Sequence, residues 1–419
     1  GSDLVRTEIT EHLEKLGARI VYKHKKENVS GADVVVVSTA ISSNNPEVVM
    51  AHKNKIPVIP RAEMLAELAR IKYAVTIAGT HGKTTTTSLT AMILQYGGLD
   101  PTVIIGGRVK NFGDSSAKLG KGDFLVAEAD ESDGSFLKLS PTIAVATNID
   151  NDHLDYYGNI EKLKQAFVEH LNKVPFYGCS ILCIDDIGIR SILKKIKRKY
   201  YTYGFNPEAD FSAKIIETNF SGSKFKVFYK NKTVGDFVLS IPGIHNIQNA
   251  LSAICCGIEL SIPVKKIYSA LKDFSGVKRR LEIKGKINNV IFIDDYGHHP
   301  AEIMATLKTI KDNFSDRRLL VIFQPHRYTR TKILYKEFGP VFRKADIVRL
   351  CEIYPAGEKP IKGVSSELIL KEIKKYHNNV EMFEFNKFPK LLKPNDVVLT
   401  LGAGDIWKTG EKIIQSLKK

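Results

Sequence analysis

Three places along the 419-residue chain gather residue types that can manage charge. The first is GTHGKTTTT, Gly79 to Thr87. Glycines let backbone N–H groups converge on an anion, a lysine neutralises outer phosphates, and a threonine hydroxyl can hold Mg²⁺. The spacing departs from the usual phosphate loop. There the first glycine would fall at Ile77, and here it stands two residues later, at Gly79. The second place is a pair of acidic clusters: FLVAEADESDG, with Glu128, Asp130, Glu131 and Asp133, and TIAVATNIDNDHLD, with Asp150, Asp152, His153 and Asp155. Thr84, Glu128 and His153 together would suit Mg²⁺ carried on nucleotide phosphates, although imidazole is not its usual ligand. The third is DDYGHHPAEI, with Asp294, Asp295, Tyr296, His298 and His299, and FQPHRYTRT, with His326, Arg327 and Arg330. Two arginines three apart can fork onto one carboxylate or phosphate.

Acidic clusters are ordinarily solvated faces, and paired arginines are ordinarily ion pairs. What raises these above that reading is the element before each. Tyr73 to Ala78 is a short apolar run with β-branched residues, as a buried strand requires, and Thr84 to Tyr96 predicts a helix stopped by Gly97-Gly98. The helix N-terminus then faces the loop and adds its dipole to the anion site. FLVAE, TIAVAT, VIFIDD and RLLVIF likewise predict strands that deliver the charged residues at their carboxyl ends, where open α/β sheets bind ligands.

Elsewhere the pattern is also α/β. TEITEHLEKLG predicts a helix closing on Gly17; ARIVYKH and DVVVVSTA predict strands; NPEVVMAHKNK and RAEMLAELARIK predict helices on either side of an IPVIP strand. The stretch from Asp210 to Gly243 alternates and predicts antiparallel strands on one edge, followed by a helix over GIHNIQNALSAICCGIEL. NNVIFIDDY, ADIVRLCEIY and DVVLTLGAG predict strands of a further α/β unit, with a helix from Pro300 and a glycine turn at GAGDIW. Three units are expected: 1–72, 73–274 and 275–419.

The chain is 43% hydrophobic and 26% charged, a globular balance. No apolar run reaches a membrane span, no signal peptide is present, and the five cysteines lack zinc spacing. A cytoplasmic protein with reduced thiols is expected. The net charge of +16 is spread along the chain with no nucleic-acid reader motif, so it predicts attraction for polyanionic small molecules rather than nucleic acid.

GTHGKTTTT, EADESDGSF, TNIDNDHLDYYGN, GIHNIQNALSA, GVKRRLE, DDYGHHPAEI, FQPHRYTRT and GAGDIW, in this order, resemble the Mur ligases over essentially the whole chain. The short phosphate loop is the form that family carries. The resemblance implies a central ATPase domain flanked by two Rossmann-like domains, and an ATP- and Mg²⁺-dependent amide ligase. DDYGHHP with FQPHRYTR resembles the members that join L-alanine to UDP-N-acetylmuramate through an acyl phosphate. By similarity Gly79, Thr80, His81, Gly82, Lys83, Thr84 and Thr85 hold the phosphates, and Thr84, Glu128 and His153 hold the metal. His245, Asn246 and Asn249 meet adenine, Asp295 the ribose, and Arg280 the nucleotide phosphates. His326, Arg327 and Arg330 grip the alanine carboxylate, with Tyr296 and His298 beside it; Lys83, Glu128, His153, His298, Arg327 and Arg330 form the catalytic set. The family opens with a strand and a GxGGxGM loop, whereas this chain opens at GSDLVRTEI, so the N-terminal domain is expected to be truncated. A monomer or weak homodimer, free of membrane and nucleic acid, is expected. The alternatives are the murein tripeptide ligase of the same family, a phosphotransferase or ATPase without an amine acceptor, and a basic nucleic-acid-binding NTPase.

Overall fold

A computed structural model describes residues 1–38 and 40–418; the side chains of Glu8, Leu154 and Asp155 lie outside that description, and with them the Asp155 carboxyl named above. The first helix, α1 (Glu8–Lys15), starts where the Thr7 side chain accepts from the Thr10 N–H, and it ends before Gly17 at φ +93°. Strand β1 (Val35–Val37) pairs in parallel with β2 (Val58–Pro60), joined through α2 (Pro46–Lys53) and followed by α3 (Arg61–Arg70). The strand expected over ARIVYKH does not form. Val21 donates to the Gly1 carbonyl and accepts from the Asp3 N–H, and the pairing stops at this single bridge to Ser2. Past this bridge the chain bends at Leu4 toward α1, and no other described residue forms a β-bridge with residues 18–24.

The largest sheet has ten strands. It contains β3 (Tyr73–Ala78), followed in the chain by α4 (Lys83–Tyr96). Then come β4 (Thr102–Val109), β5 (Ser115–Lys118), β6 (Phe124–Glu128), β7 (Ile143–Ala146), α5 (Leu154–Tyr157), α6 (Ile160–Asn172), β8 (Cys179–Cys183), α7 (Ile187–Ile192) and β9 (Tyr200–Gly204). The expected antiparallel edge is β10 (Phe211–Asn219), β11 (Gly222–Tyr229) and β12 (Lys232–Leu239), and it leads into α8 (Ile244–Glu259) and α9 (Val264–Lys272). Strand order is β12-β11-β10-β9-β8-β7-β3-β6-β4-β5. Residues 74–78 of β3 are all buried because helices cover both faces. Leu89, Ile93, Leu251 and Ile254 of α4 and α8 fill one side, while Leu163, Phe167 and Leu171 of α6, with Ala66 and Ala69 of α3, fill the other.

A third sheet takes the order β13-β14-β18-β15-β16-β17. Its elements are β13 (Glu282–Ile287), β14 (Val290–Asp295), α10 (Pro300–Asn313), β15 (Leu319–Phe323), α11 (Tyr328–Val341), β16 (Ile347–Leu350), α12 (Ser366–Lys374), β17 (Val380–Met382), β18 (Val397–Leu401) and α13 (Ile406–Ser416). Only β13, which no sequence pattern marked, runs antiparallel within it. Helices α10, α11 and α12 pack on one face and α13 on the other. The carboxyl ends of β3, β6 and β7 and those of β14 and β15 open onto one cleft of about 730 Å³.

Candidate active site

The loop between β3 and α4 turns on two glycines in the left-handed half of backbone space, where a side chain is strained. Gly79 sits at φ +140°, and a Cβ there would lie 2.0 Å from Thr147 Oγ1; Gly82 sits at φ +81°, where a Cβ would lie 2.6 Å from Asn249 Oδ1. The loop is pinned from the end of β7. Asn148 Oδ1 accepts from the His81 N–H at 2.8 Å, Thr147 Oγ1 donates to the His81 carbonyl at 2.7 Å, and the Asp150 N–H donates to Thr80 Oγ1 at 3.0 Å. Lys83 Nζ donates to the Gly79 carbonyl at 2.7 Å and to both carboxylate oxygens of Glu131 at 2.8 and 2.9 Å. Glu131 has no solvent exposure at all. Burial pulls the Lys83 ammonium down, but Glu131 and Asp130 outweigh it, and the charged form is held above the ordinary lysine range.

Beside the loop, Glu128 ends β6. Its Oε1 accepts from the Gly106 N–H at 2.8 Å, and the Thr84 hydroxyl hydrogen-bonds the same carboxylate; burial raises its pKa. Gly106 and Gly107 keep this corner open. A Cβ on Gly106 would lie 2.8 Å from Glu128 Oε2, and one on Gly107 would lie 2.9 Å from Thr84 Cγ2. A hydroxyl and a carboxylate meeting at an unobstructed corner are the hard oxygen donors that Mg²⁺ takes. His153 lines the same cleft at φ +58°, a left-handed backbone unusual outside glycine, with Nε2 3.7 Å from Glu131 Oε1 and 3.6 Å from Asp152 Oδ2.

The facing wall comes from the third sheet. Arg327 caps α11 at φ +70°, its N–H donating to the Tyr354 carbonyl at 2.9 Å. One helical turn places Arg330 Nη1 3.3 Å from His326 Nδ1, while Nη2 donates to Asp152 of the central sheet at 3.1 and 3.3 Å. Arg330 Nε is buried and has no hydrogen-bond partner among the described residues. His298 and His326 lie 5.8 Å apart, ring centre to ring centre. Burial, with Arg330 nearby, lowers the His298 pKa to about 3 and the His326 pKa to about 4, so both are neutral at pH 7. The guanidinium groups of Arg279 and Arg280 lie 5.0 and 5.3 Å from the centre of the Tyr296 ring.

A smaller cavity of about 150 Å³ adjoins the loop, and His81, Thr85, His245, Asn246, Asn249 and Asp295 all line it. Arg280 lines both cavities. Asp295 accepts from the Gly297 N–H at 2.8 Å, the Leu281 N–H at 2.8 Å and the Thr306 hydroxyl at 3.1 Å. Three of roughly four acceptor positions on this carboxylate are therefore already filled. His245 is neutral, lowered to about 4 by burial and by Arg280. The glycine turn at GAGDIW is approached by the chain itself. A Cβ on Gly402 would lie 2.6 Å from the Gln324 carbonyl oxygen, and Arg279 donates to the Gly402 and Gly404 carbonyls.

Family models match three consecutive stretches: the Mur ligase catalytic domain over 1–73, the Mur ligase middle domain over 77–257, and the Mur ligase glutamate ligase domain over 279–404. The chain is 55% identical to the UDP-N-acetylmuramate–L-alanine ligase of Endomicrobium trichonymphae, over 99% of this chain and 92% of that protein. The chain belongs to the Mur ligase family. Among solved structures, the UDP-N-acetylmuramate–alanine ligase of Thermotoga maritima superposes with a TM-score of 0.82 at 28% identity, covering 100% of this chain and 93% of that one. A murein peptide ligase from Psychrobacter arcticus superposes at 0.71 with 24% identity, covering 100% and 93%, a likeness of fold. Mur ligases are ATP-dependent enzymes.

Three carboxylates in this Mur ligase matter more than their sequence context suggested. Glu131 counters Lys83, Asp152 counters Arg330, and Glu302 counters two cations at once, with Oε1 3.4 Å from His81 Nδ1 and 3.7 Å from Arg280 Nη1. Burial pulls His81 down, but hydrogen bonds with Asp150 and Glu302 raise it to about 9, so the phosphate loop carries a second cation shared with α10. Glu302 stands three residues after the His299 helix cap, and its side chain closes that capping box, a pattern readable in HPAE. Its partnership with His81, 221 positions away, leaves no local trace. Among the described residues no helix is long and apolar enough to cross a membrane.

Proposed function

We propose that the chain uses ATP to join L-alanine to the lactyl carboxylate of UDP-N-acetylmuramate, as in peptidoglycan precursor synthesis. The observation that carries this reading is the single cleft with Lys83, Thr84 and Glu128 on one wall and His298, Arg327 and Arg330 on the other, in a chain 55% identical over nearly its whole length to an alanine-adding relative. We assign residues 1–72 to the nucleotide-sugar domain, 73–274 to the ATPase domain and 275–419 to the amino-acid domain, with a cytoplasmic setting.

A free carboxylate resists amines because its oxygen is a poor leaving group. Transfer of the γ-phosphoryl of ATP onto a carboxylate oxygen gives an acyl phosphate. The amine of L-alanine, once its ammonium form has released a proton, attacks the carbonyl carbon; a tetrahedral intermediate forms, the nitrogen gives up a second proton, and phosphate departs with the former carboxylate oxygen. Charge develops on phosphoryl and carbonyl oxygens throughout, so fixed donors dominate the catalysis. Lys83 and the N–H groups of residues 79–85 hold the β- and γ-phosphates. Arg280, lining both cavities, reaches from nucleoside to phosphates, with His245, Asn246 and Asn249 at adenine and the remaining acceptor position of Asp295 at the ribose. Thr84 and Glu128 would hold Mg²⁺, with His153 beside them; bound there, the ion supplies positive charge to the phosphates. Arg327 and Arg330 take the amino-acid carboxylate, both lining the cleft. Neutral His298 and His326, with Tyr296, shape the space around the amine.

Incubating the chain with ATP, Mg²⁺, UDP-N-acetylmuramate and single amine donors tests the reading. Phosphate release that requires L-alanine supports it. Release that instead requires L-Ala-γ-D-Glu-diaminopimelate, or that needs no amine, points to the tripeptide ligase or to a simple ATPase.

A further inference from the structure

We infer that Asp152 recognises the α-ammonium of the amino-acid substrate and so makes this subsite select a zwitterion; the inference rests on the ligase reading above. Arg330 and Asp152 come from different sheets yet meet at 3.1 and 3.3 Å, with side chains only 9% and 11% exposed. Their pairing leaves the guanidinium incompletely used. Nη2 serves Asp152 and Nη1 faces His326, while Nε is buried without a partner among the described residues. A ligand carboxylate that satisfies this Nε–H lies beside the edge on which Asp152 also sits.

An α-amino acid carries its two charges on groups separated by a single carbon. With its carboxylate on Arg330, its ammonium falls within reach of the Asp152 carboxylate. Arg330, Arg327, Asp152 and His153 line a small compartment that shares these four residues with the main cleft, and Asp152 is the sole carboxylate among its lining residues. Ile333 and Leu334 of α11 add apolar surface there. Asp152 Oδ2 also lies 3.6 Å from His153 Nε2, and both residues line the main cleft where the acyl phosphate would form. A buried ammonium without an acceptor is strongly disfavoured, and no other lining side chain supplies an anion.

The test compares L-alanine with propionate, which has the same carboxylate and no ammonium. Binding of each is measured by calorimetry on the full chain with Mg²⁺, a non-hydrolysable ATP analogue and UDP-N-acetylmuramate. For Asp152→Asn, L-alanine is expected to weaken roughly ten- to a hundredfold, the range for losing a hydrogen bond to a charged group. Propionate is expected to bind as well as before or better, because Arg330 loses an internal competitor. Asp152→Glu should recover part of the alanine affinity. Parallel weakening of both ligands would show that Asp152 merely holds Arg330 in place. Tighter alanine binding would show that it only competes with the substrate carboxylate. Either result overturns the inference while leaving the ligase reading intact. A wild-type chain that releases no phosphate in response to alanine would overturn the reading beneath it.

Discussion

Lys83→Ala should damage the protein in two separable ways. Lys83 is the side chain of the phosphate loop whose ammonium can neutralise transferring phosphate, and losing one such electrostatic stabiliser lowers kcat by about 10²–10³. The same change strips the counter-ion from Glu131, which has no solvent exposure and whose two oxygens both accept from Lys83. Removing one partner of a buried ion pair costs on the order of 3–5 kcal/mol. The single variant should therefore be both slow and less stable. Lys83→Ala combined with Glu131→Gln should regain most of the stability, because a neutral amide needs no counter-ion, and none of the turnover. Thermal unfolding followed by circular dichroism and steady-state phosphate release separate the two effects. A double variant that recovered turnover, or a single variant with unchanged melting, would refute the assignment of Lys83 as both phosphate ligand and partner of Glu131.

Arg330→Ala should raise KM for L-alanine roughly ten- to a hundredfold with KM for ATP little changed, since the lost bonds are charge-assisted; the reverse pattern would move the arginine to the nucleotide site. Gly79→Ala should abolish ATP binding, read by calorimetry, because its Cβ would lie 2.0 Å from Thr147 Oγ1 in a backbone at φ +140°. His81 sits at about 9 in the folded chain, above the ordinary 6.5, so the stability it draws from Asp150 and Glu302 is fully present below about pH 6.5 and lost as the pH rises through 9. Melting of the wild type should accordingly fall more steeply across that window than melting of Glu302→Gln; parallel curves would show that the contact between loop and α10 adds nothing.

What could be read from the sequence was whatever is local. Tyr73 to Ala78 forms a strand as written, the helix after the loop ends at Gly97-Gly98, the charged residues of EADES and DDYGHH do stand at strand ends, and NDH lies in the loop after β7. His245, Asn246, Asn249, Arg280 and Asp295, which the resemblance assigned to a nucleotide, line one cavity, a grouping that no periodicity encodes. Two kinds of feature were not legible. ARIVYKH alternates like a strand, yet a strand needs a partner of matching length, and Val21 finds only residues 1–3. The pairings of Lys83 with Glu131, Arg330 with Asp152 and His81 with Glu302 join residues 48, 178 and 221 positions apart, and only the docked sheets bring them together. In sequence these carboxylates look like the rest of an acidic surface; buried against cations, they set how much free charge the cleft offers an anionic substrate.

The proposed ligation turns on one chemical step, phosphorylation of the lactyl carboxylate before the amine attacks. UDP-N-acetylmuramate labelled with ¹⁸O in both lactyl carboxylate oxygens, incubated with the chain, ATP, Mg²⁺ and L-alanine, tests it directly by mass spectrometry of the released phosphate. The account predicts one labelled oxygen in each phosphate and one retained in the new amide. Unlabelled phosphate, with its incoming oxygen taken from water, would show that the cleft hydrolyses ATP without activating the carboxylate.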